Sequence, residues 1–128
     1  MKLLLDTHIW IWHLIGSKKL SHKHRELLED DDSEIWLSPV SIWETHLLIE
    51  RGRLPVNQEP SEWIKRTLIE FPLKEASMTF SIATRSREIL LDQGDPADRF
   101  IAATAAEMKL TLVTADKRLK KCRDVKTV

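Results

Sequence analysis

The sequence has a single cysteine and no excess of charge, and each of these features excludes a class of protein. The one thiol, Cys122, can form neither an internal disulfide nor a cysteine zinc cluster, which agrees with a reducing cytoplasm as the expected location. The 20 basic and 20 acidic side chains give a formal net charge of zero, which argues against binding nucleic acid through a global basic field. A local basic patch or a bound metal would still let such a chain hold phosphate.

Long apolar runs and several catalytic motifs are also missing. No apolar run reaches the roughly 18 residues that a membrane-spanning helix needs, so no membrane segment is expected. Asp6 and His8 interrupt the apolar N-terminal stretch and no small-residue cleavage site follows, so no signal peptide is expected. There is no Gly-x-Ser-x-Gly elbow, no phosphate-binding glycine loop and no HExxH metal motif. A length of 128 residues suits one domain, 1–128.

The hydrophobic pattern alternates between strand-like and helix-like stretches. Strands are predicted at 2–6, 34–38, 71–73, 110–113 and 125–128, with 71–73 at an edge because it contains a proline. Helices are predicted at 8–15, 21–29, 39–51, 60–70, 77–91, 95–109 and in a short segment after Asp116. This alternation predicts an α/β fold with a parallel sheet covered on both faces. Such folds bind ligands beyond the carboxyl ends of their strands, where the strand order reverses.

Four acids occupy positions that call for chemistry. Asp6 ends the first buried strand, and Asp116 lies just past the strand at 110–113. Glu44 falls on an apolar helical stripe, and Asp98 does so in a later helix, each at i, i+3 and i+4 spacing from apolar neighbours. An acid on an apolar stripe is costly to bury without compensation, and a shared divalent cation would supply it. Hard cations such as Mg²⁺ and Mn²⁺ prefer oxygen ligands.

Helix capping is the competing interpretation of these acids. Asp6 and Asp116 each stand where they could cap a following helix. Asp95, followed by proline and by Asp98 three residues on, fits an N-cap with an acidic first turn. For Asp98 the two roles are compatible, because a capped helix start also fixes its side chain. Glu44 lies too deep in its helix to serve the N-terminus, so capping does not explain it.

Other polar and aromatic residues have ordinary interpretations. The histidines near these acids lack metal-ligand spacing, and they are His8, His13 and His46. The tryptophans are typical of a core or an interface, and they are Trp10, Trp12, Trp36, Trp43 and Trp63. A basic stretch near the C-terminus is interpreted as a solvated helix face, and it comprises Lys117, Arg118, Lys120 and Lys121.

Four segments of the chain resemble the PIN domains of VapC-type toxins. They are LLLDTHIWIW, SPVSIWETHLLIERGRL, GDPADRFIAATA and LTLVTADKRL, in the family's order and over essentially the whole chain. The third segment combined with LVTAD is the most specific part of the likeness. The resemblance implies a Rossmann-like α/β/α sandwich with a four- to five-stranded parallel sheet. It also implies an Mg²⁺- or Mn²⁺-dependent endoribonuclease that acts on RNA, forms a homodimer and is inhibited by a VapB-type antitoxin.

The resemblance also assigns residues. Carried over by position, the family's metal-binding and catalytic acids fall on Asp6, Glu44, Asp98 and Asp116. Thr114 matches a hydroxyl position near the site, while Asp95 and Arg99 match the family's DPxDR stretch. Related sequences often carry a lysine where this chain has Leu48, which leaves the substrate preference open.

Two other classes of function stay open from sequence alone. A phosphoryl-transfer protein also places an aspartate after its first strand, but the haloacid-dehalogenase type needs a second one where this chain has His8. A receiver domain needs an aspartate after a central strand, where this chain has Ser38. A non-catalytic PIN-like binding module is the second alternative. The presence of all four acids argues against it, and metal-dependent RNA cleavage discriminates directly.

Overall fold

The computed structural model describes residues 1–92 and 95–128, and in this part of the chain strands alternate with helices. The strands are β1 (Lys2–Leu5), β2 (Glu34–Leu37), β3 (Lys74–Glu75) and β4 (Thr111–Val113). The helices are α1 (Thr7–Ile15), α2 (His22–Glu29), α3 (Pro39–Glu50), α4 (Pro60–Glu70), α5 (Phe80–Glu88), α6 (Pro96–Met108) and α7 (Lys117–Lys120). Gly94, the first residue of the segment GDPADRFIAATA, lies outside the described residues.

The four strands form one parallel sheet in the order β3-β2-β1-β4. β1 is central, with Leu4 opposite Trp36 of β2 and opposite Leu112 of β4. The chain therefore moves outward from β1 in one direction through β2 and β3, and β4 is added on the other side. The strand order reverses between β1 and β4, which is the place where open parallel sheets build their binding sites.

The sheet is covered on both faces, as the sequence predicts. Leu4 and Leu112 belong to a core cluster with α5, α6 and α7. Leu3, Leu5 and Val113 face the other way, into a cluster with α1, α2 and α4. This alternation follows from the two-residue period of a strand and explains why β1 is a continuous apolar run. The Rossmann-like α/β/α sandwich is confirmed.

Several helices begin and end where local chemistry requires it. Ser38 accepts a hydrogen bond from Val40 N and is followed by proline at the first helical position, so α3 begins directly after β2. After α3 the chain turns at Gly52, whose φ of 69° is a left-handed conformation that glycine adopts without a steric cost. Because a single residue, Ser38, separates β2 from α3, the first turns of α3 lie at the carboxyl edge of the sheet.

Two predicted elements differ from the structure. The edge strand expected at 71–73 is instead β3, at Lys74–Glu75. Phe71 N still donates to Thr67 O at the end of α4, and Pro72 has no N–H to donate to a sheet. The helix expected at 77–91 is shorter, because Thr79 caps its start by accepting from Ile82 N and Ile89 is already extended.

The predicted last strand is reduced to a single bridge. Thr127 pairs with Leu112 in parallel, on the side of β4 away from β1. Leu112 N donates to Lys126 O, and Val128 N donates to Leu112 O. His24 Nε2 lies 3.0 Å from Val128 O and ties this segment to α2. No helix in residues 1–92 and 95–128 is long and apolar enough to cross a membrane.

Candidate active site

The four acids singled out in the sequence line one cleft of about 410 Å³ at the carboxyl edge of the sheet. Asp6 follows β1 and Asp116 follows β4, on either side of the strand-order reversal. Glu44 reaches the cleft from α3 and Asp98 from α6. The residues that line it are Asp6, His8, Trp12, Glu44, Asp95, Asp98, Ala115, Asp116 and Arg118. A cluster drawn from four parts of the chain is therefore assembled by the topology of the sheet.

Thr114 connects the two acids that follow β1 and β4. Its hydroxyl donates to Asp6 Oδ2 over 2.7 Å and accepts from Asp116 N over 3.0 Å. Asp6 Oδ1 accepts from Thr7 N over 2.9 Å. Asp6 and Thr114 are both buried, so these bonds fix the Asp6 carboxylate in one orientation.

A second hydroxyl holds Glu44. Thr7 Oγ1 lies 2.5 Å from Glu44 Oε1 and 2.8 Å from Ser41 Oγ. A hydroxyl has one proton and an ionised carboxylate only accepts, so Thr7 donates to Glu44 and the Ser41 hydroxyl donates to Thr7. Thr7 and Ser41 are buried, and they join the first turns of α1 and α3 beneath the cleft.

Arg118 holds the other two acids. Its Nη2 lies 3.2 Å from Asp98 Oδ2 and 3.0 Å from Asp116 Oδ2. The basic stretch predicted to be a solvated helix face is therefore wrongly interpreted at this residue. The side chain of Arg118 is about half exposed, yet its guanidinium bridges α6 and the start of α7 across the cleft.

Capping and cleft lining occur together in three of the acids. Asp6 begins α1, Asp95 begins α6 by accepting from Ala97 N, and Asp116 begins α7 by accepting from Arg118 N. Each also lines the cleft. The two interpretations of these acids are therefore compatible, because a side chain fixed at a helix start still presents carboxylate oxygen to the cleft. The positive end of the helix dipole stabilises negative charge at α1 and α6.

Burial makes three of the carboxylates hard to ionise. It is the main cause that raises the pKa of Asp6, although hydrogen bonds from Thr114 and Thr7 partly oppose it. Burial likewise raises the pKa of Glu44, against the hydrogen bond from Thr7 and with repulsion from Asp95 and Asp6. The pKa of Asp98 rises to about 7, through burial first and then through the charges of the surrounding acids.

Asp116 behaves in the opposite way. Its hydrogen bond from Arg118 lowers the pKa of its carboxyl below the ordinary value, and burial opposes this less strongly. Asp98 contacts the same guanidinium, yet its pKa is raised, because burial and four neighbouring carboxylates outweigh one half-exposed arginine. The cleft as a whole therefore carries more negative charge than its own cation neutralises.

A family comparison gives this cleft a context. The family model described as "PIN domain" matches residues 3–125. The chain belongs to the PIN-domain family. A curated relative, Ribonuclease VapC22 of Mycobacterium tuberculosis, is 32% identical over 126 residues, which is 98% of this chain and 95% of that protein.

Solved structures share the fold of this PIN domain. VapBC2 from Rickettsia felis, in a crystal structure with a DNA fragment from its promoter, is 18% identical with a TM-score of 0.74 and covers 100% of this chain and 98% of its own. VapBC-1 from nontypeable Haemophilus influenzae is 18% identical with a TM-score of 0.67, and the match covers 100% of this chain and 97% of that one. FitAcB from Neisseria gonorrhoeae is 20% identical with a TM-score of 0.63, and the match covers 98% of this chain and 95% of that one.

The remaining residues of the DPxDR stretch have separate places in this PIN domain. Asp95 lines the cleft beside the four acids. Arg99 instead donates to three backbone carbonyls, through Nε to Ser86 O, Nη1 to Leu91 O and Nη2 to Ile89 O. It ties the start of α6 to the chain that follows α5, and it stands apart from the residues that line the cleft. Its role there is to position a segment beside the site.

Sequence reasoning missed several residues of the site. Thr7 and Ser41 hold Glu44, and their signal was small polar residues on otherwise apolar faces next to Asp6 and Glu44. Arg118 lies two residues after Asp116, but it stands among other basic residues, and the whole stretch is interpreted from sequence as a solvated helix face. His8 and Trp12 line the cleft, and their rings lie 5.8 Å apart one turn along α1.

The donor set fits a hard divalent cation in chemistry and charge. All four acids offer carboxylate oxygen, and burial first and repulsion among the acids second raise the pKa values of Asp6, Glu44 and Asp98, so a bound cation would stabilise their ionised forms. In residues 1–92 and 95–128, however, no three His, Cys, Asp or Glu side chains are already placed as a group that could hold a metal ion. Thr7, Thr114 and Arg118 bind the carboxylates instead. The assignment of the four acids as metal ligands therefore stays a prediction.

Proposed function

We propose that this PIN domain is an endoribonuclease that hydrolyses RNA phosphodiester bonds with Mg²⁺ or Mn²⁺ held by Asp6, Glu44, Asp98 and Asp116. The observation that carries the proposal is the convergence of these four acids in one cleft with more negative charge than Arg118 offsets. The relative named Ribonuclease VapC22 supports RNA as the substrate, because the likeness covers 98% of this chain.

The chain's own residues would divide the work. A bound divalent cation supplies the positive charge that stabilises attack on a phosphodiester and favours ionisation of the attacking water. Asp6 and Glu44 are oriented by Thr114 and Thr7, so their carboxylates meet a cation without first searching for a rotamer. In the metal-free protein the pKa of Asp98 is raised to about 7, by burial first and then by the neighbouring acids, so Asp98 would give up its proton when the cation binds.

The direct experiment is cleavage of a labelled RNA by the purified protein with Mn²⁺ and with a chelator. We expect cleavage only with the metal, and loss of cleavage in Glu44→Gln. Glu107→Gln is a suitable control, because Glu107 pairs with Arg85 on the surface. RNA or partner binding without cleavage at any metal concentration would favour the non-catalytic binding module. A phosphorylated aspartate would favour phosphoryl transfer.

We further propose that the chain is the toxin of a toxin–antitoxin pair, with a VapB-type antitoxin as its partner, and that it forms a homodimer. Structures with the same fold are titled VapBC and FitAB complexes, and one is a toxin–antitoxin complex from Klebsiella pneumoniae. The protein also exposes large apolar side chains, including Trp43 at 58% and Phe80 at 95%. Exposed apolar surface of this kind is typical of partner-binding faces.

Partner binding can be tested separately from cleavage. A short reading frame directly upstream, encoding a DNA-binding N-terminus, is the expected antitoxin gene. Its product should co-purify with this chain and abolish RNA cleavage. A complex that retains full nuclease activity would contradict the inhibitory role. Light scattering that shows a monomer at micromolar concentration would contradict the homodimer.

A further inference from the structure

Among the described residues that line the acidic cleft, the basic side chains are Arg118 and His8. The guanidinium of Arg118 contacts Asp98 Oδ2 and Asp116 Oδ2 through the same nitrogen, and its Nε lies 3.4 Å from Asp116 Oδ1. It thus spans the two acids that come from α6 and from the end of β4. These contacts raise the pKa of Arg118 above its ordinary value, so the side chain stays charged.

Arg118 contacts carboxylate oxygens of two of the four acids that would hold the proposed metal. In residues 1–92 and 95–128 no three acids are yet gathered around a common point, and two of the four are bound to this guanidinium. A carboxylate oxygen that faces an arginine is not free to face a cation on the same side. A divalent ion and the guanidinium therefore compete for Asp98 and Asp116.

A second cavity lies beside Arg118 and could receive its guanidinium after displacement from the acids. It has a volume of about 380 Å³ and adjoins the cleft, and Arg118 lines both. Its wall includes Leu91, Asp92, Lys121 and Cys122. The side chain of Arg118 is 49% exposed.

We propose that Arg118 is an internal counter-cation, which holds Asp98 and Asp116 together in the metal-free protein and is displaced from them when a divalent cation binds. The inference rests on the proposed function, because it requires that these acids are metal ligands. It makes Arg118 a positioning residue for the metal site. Metal affinity is then set partly by the strength of the bridge that the metal must break.

The test is calorimetric titration of Mn²⁺ into metal-free protein without RNA, so that cleavage plays no part in the readout. Arg118→Gln removes the bridge while keeping a polar side chain. We expect it to bind Mn²⁺ about three- to tenfold more tightly than the wild type, the range that fits loss of two half-exposed ion pairs. In thermal melts, Mn²⁺ should raise the melting temperature of Arg118→Gln more than that of the wild type.

A matched control separates the bridge from the general loss of one positive charge. Lys121→Gln removes the same charge at the C-cap of the same helix, α7, next to the second cavity. We expect its Mn²⁺ affinity to stay within twofold of the wild type, which corresponds to about 0.4 kcal/mol. Equal tightening in Lys121→Gln and Arg118→Gln would overturn the proposal, because a general field would then explain the effect.

Arg118→Lys keeps the charge but lacks the planar fork of the guanidinium, and it guards against a folding defect in Arg118→Gln. Affinity between those of the wild type and Arg118→Gln supports the bridge. Unchanged or weaker Mn²⁺ binding in both Arg118 variants would overturn the inference while leaving the proposed ribonuclease intact. Absence of Mn²⁺ binding in the wild type and in every variant would contradict both.

Discussion

The cleft has two halves that are held in different ways. The inner pair, Asp6 and Glu44, accepts hydrogen bonds from the neutral hydroxyls of Thr114 and Thr7. The outer pair, Asp98 and Asp116, contacts the charged guanidinium of Arg118. The inner pair arises from β1 and α3 and is anchored by buried residues, whereas the anchor of the outer pair is half exposed.

The difference shows that orientation and neutralisation are separate functions. Burial raises the pKa values of Asp6 and Glu44, and the hydroxyl hydrogen bonds that orient these carboxylates offset this only in part. In the outer pair the guanidinium lowers the pKa of Asp116, whereas burial and the neighbouring acids keep the pKa of Asp98 raised. The inner pair is therefore ready to face a cation, while the outer pair already has one.

Loss of one outer acid should have the largest effect. Asp98→Asn is expected to reduce metal-dependent RNA cleavage by at least about 100-fold, because losing a ligand should cost no less than the 10–100-fold loss seen on removing its outer partners. Circular dichroism should show a folded protein. Cleavage at the wild-type rate would mean that Asp98 only pairs with Arg118, and the outer pair would then lie outside the active site.

Removing an inner hydroxyl should cost less. Thr114→Val keeps the shape but cannot donate to Asp6, so we expect a loss of RNA cleavage of about 10–100-fold. Thr104→Val is the matched control, since Thr104 is equally buried and its hydroxyl donates to Phe100 O within its own helix. If the two variants cleave RNA equally well, hydroxyl orientation of the inner pair is unimportant.

The third prediction concerns stability without metal. From sequence alone, Asp6→Asn is the natural variant for relieving charge repulsion, because Asp98 could be a cap. The structure reverses this choice. Asp6 receives two hydrogen bonds in a buried place, and an asparagine would turn an amide N–H towards one of those donors. Asp98 contacts Arg118 at the cleft surface.

Near pH 7 with a chelator, Asp98→Asn should therefore melt at or above the wild-type temperature, and Asp6→Asn should melt below Asp98→Asn. Millimolar Mn²⁺ should raise the wild-type melting temperature more than that of either variant, because the cation binds the folded state through both acids. Thermal melts of the three proteins with chelator and with Mn²⁺ give the comparison. Equal metal-induced shifts in all three would exclude both acids as ligands.

The smallest effect is a dependence of stability on pH. Asp98 has a folded pKa of about 7 and an ordinary value of 3.8, so the folded state binds its proton more tightly between these limits. Its contribution therefore destabilises the metal-free protein as pH rises from about 4 to 7. Half-buried His13 and buried His24 act oppositely, because burial lowers their pKa values and acid then destabilises the protein. The two effects must be separated.

Comparison of the wild type with Asp98→Asn removes the histidine contribution, which both proteins share. In urea unfolding at pH 5 to 8 with a chelator, the stability of the wild type relative to Asp98→Asn should fall as pH rises towards 7 and level off above about 8. A relative stability that is constant across this range would show that burial and repulsion at Asp98 are weak.

The sequence predicts the frame of the molecule better than its details. Apolar runs and helix signals predict the parallel sheet and place Asp6 and Asp116 after strands, whereas the pairing of β1 with β4 that brings the two acids together is long-range information that the structure supplies. The two arginines show where this reasoning fails. Arg99 stands in a specific motif but binds backbone carbonyls, whereas Arg118 stands in an ordinary basic run but binds the acids. Side-chain direction depends on tertiary packing that local patterns do not encode.

The hydroxyls beneath the cleft fall between these extremes. Thr114 is assigned from the family likeness, and its contact with Asp6 agrees with that position. Thr7 and Ser41 stand out in sequence only as small polar residues on otherwise apolar helix faces, which does not show that they contact Glu44. Thr7 and Ser41 form a hydrogen-bonded chain to Glu44 because α1 and α3 cross there. That crossing depends on how both helices pack on the sheet.

The acids that begin helices have an evolutionary consequence. Asparagine caps a helix about as well as aspartate does, but it has no charge to share with a cation. For Asp95 and Asp116, one replacement of aspartate by asparagine therefore preserves the helix start that the fold needs while it alters the charge of the cleft. Under the proposed function, such a substitution is expected to give an inert but well-folded protein, so selection can act against the activity without acting against the fold.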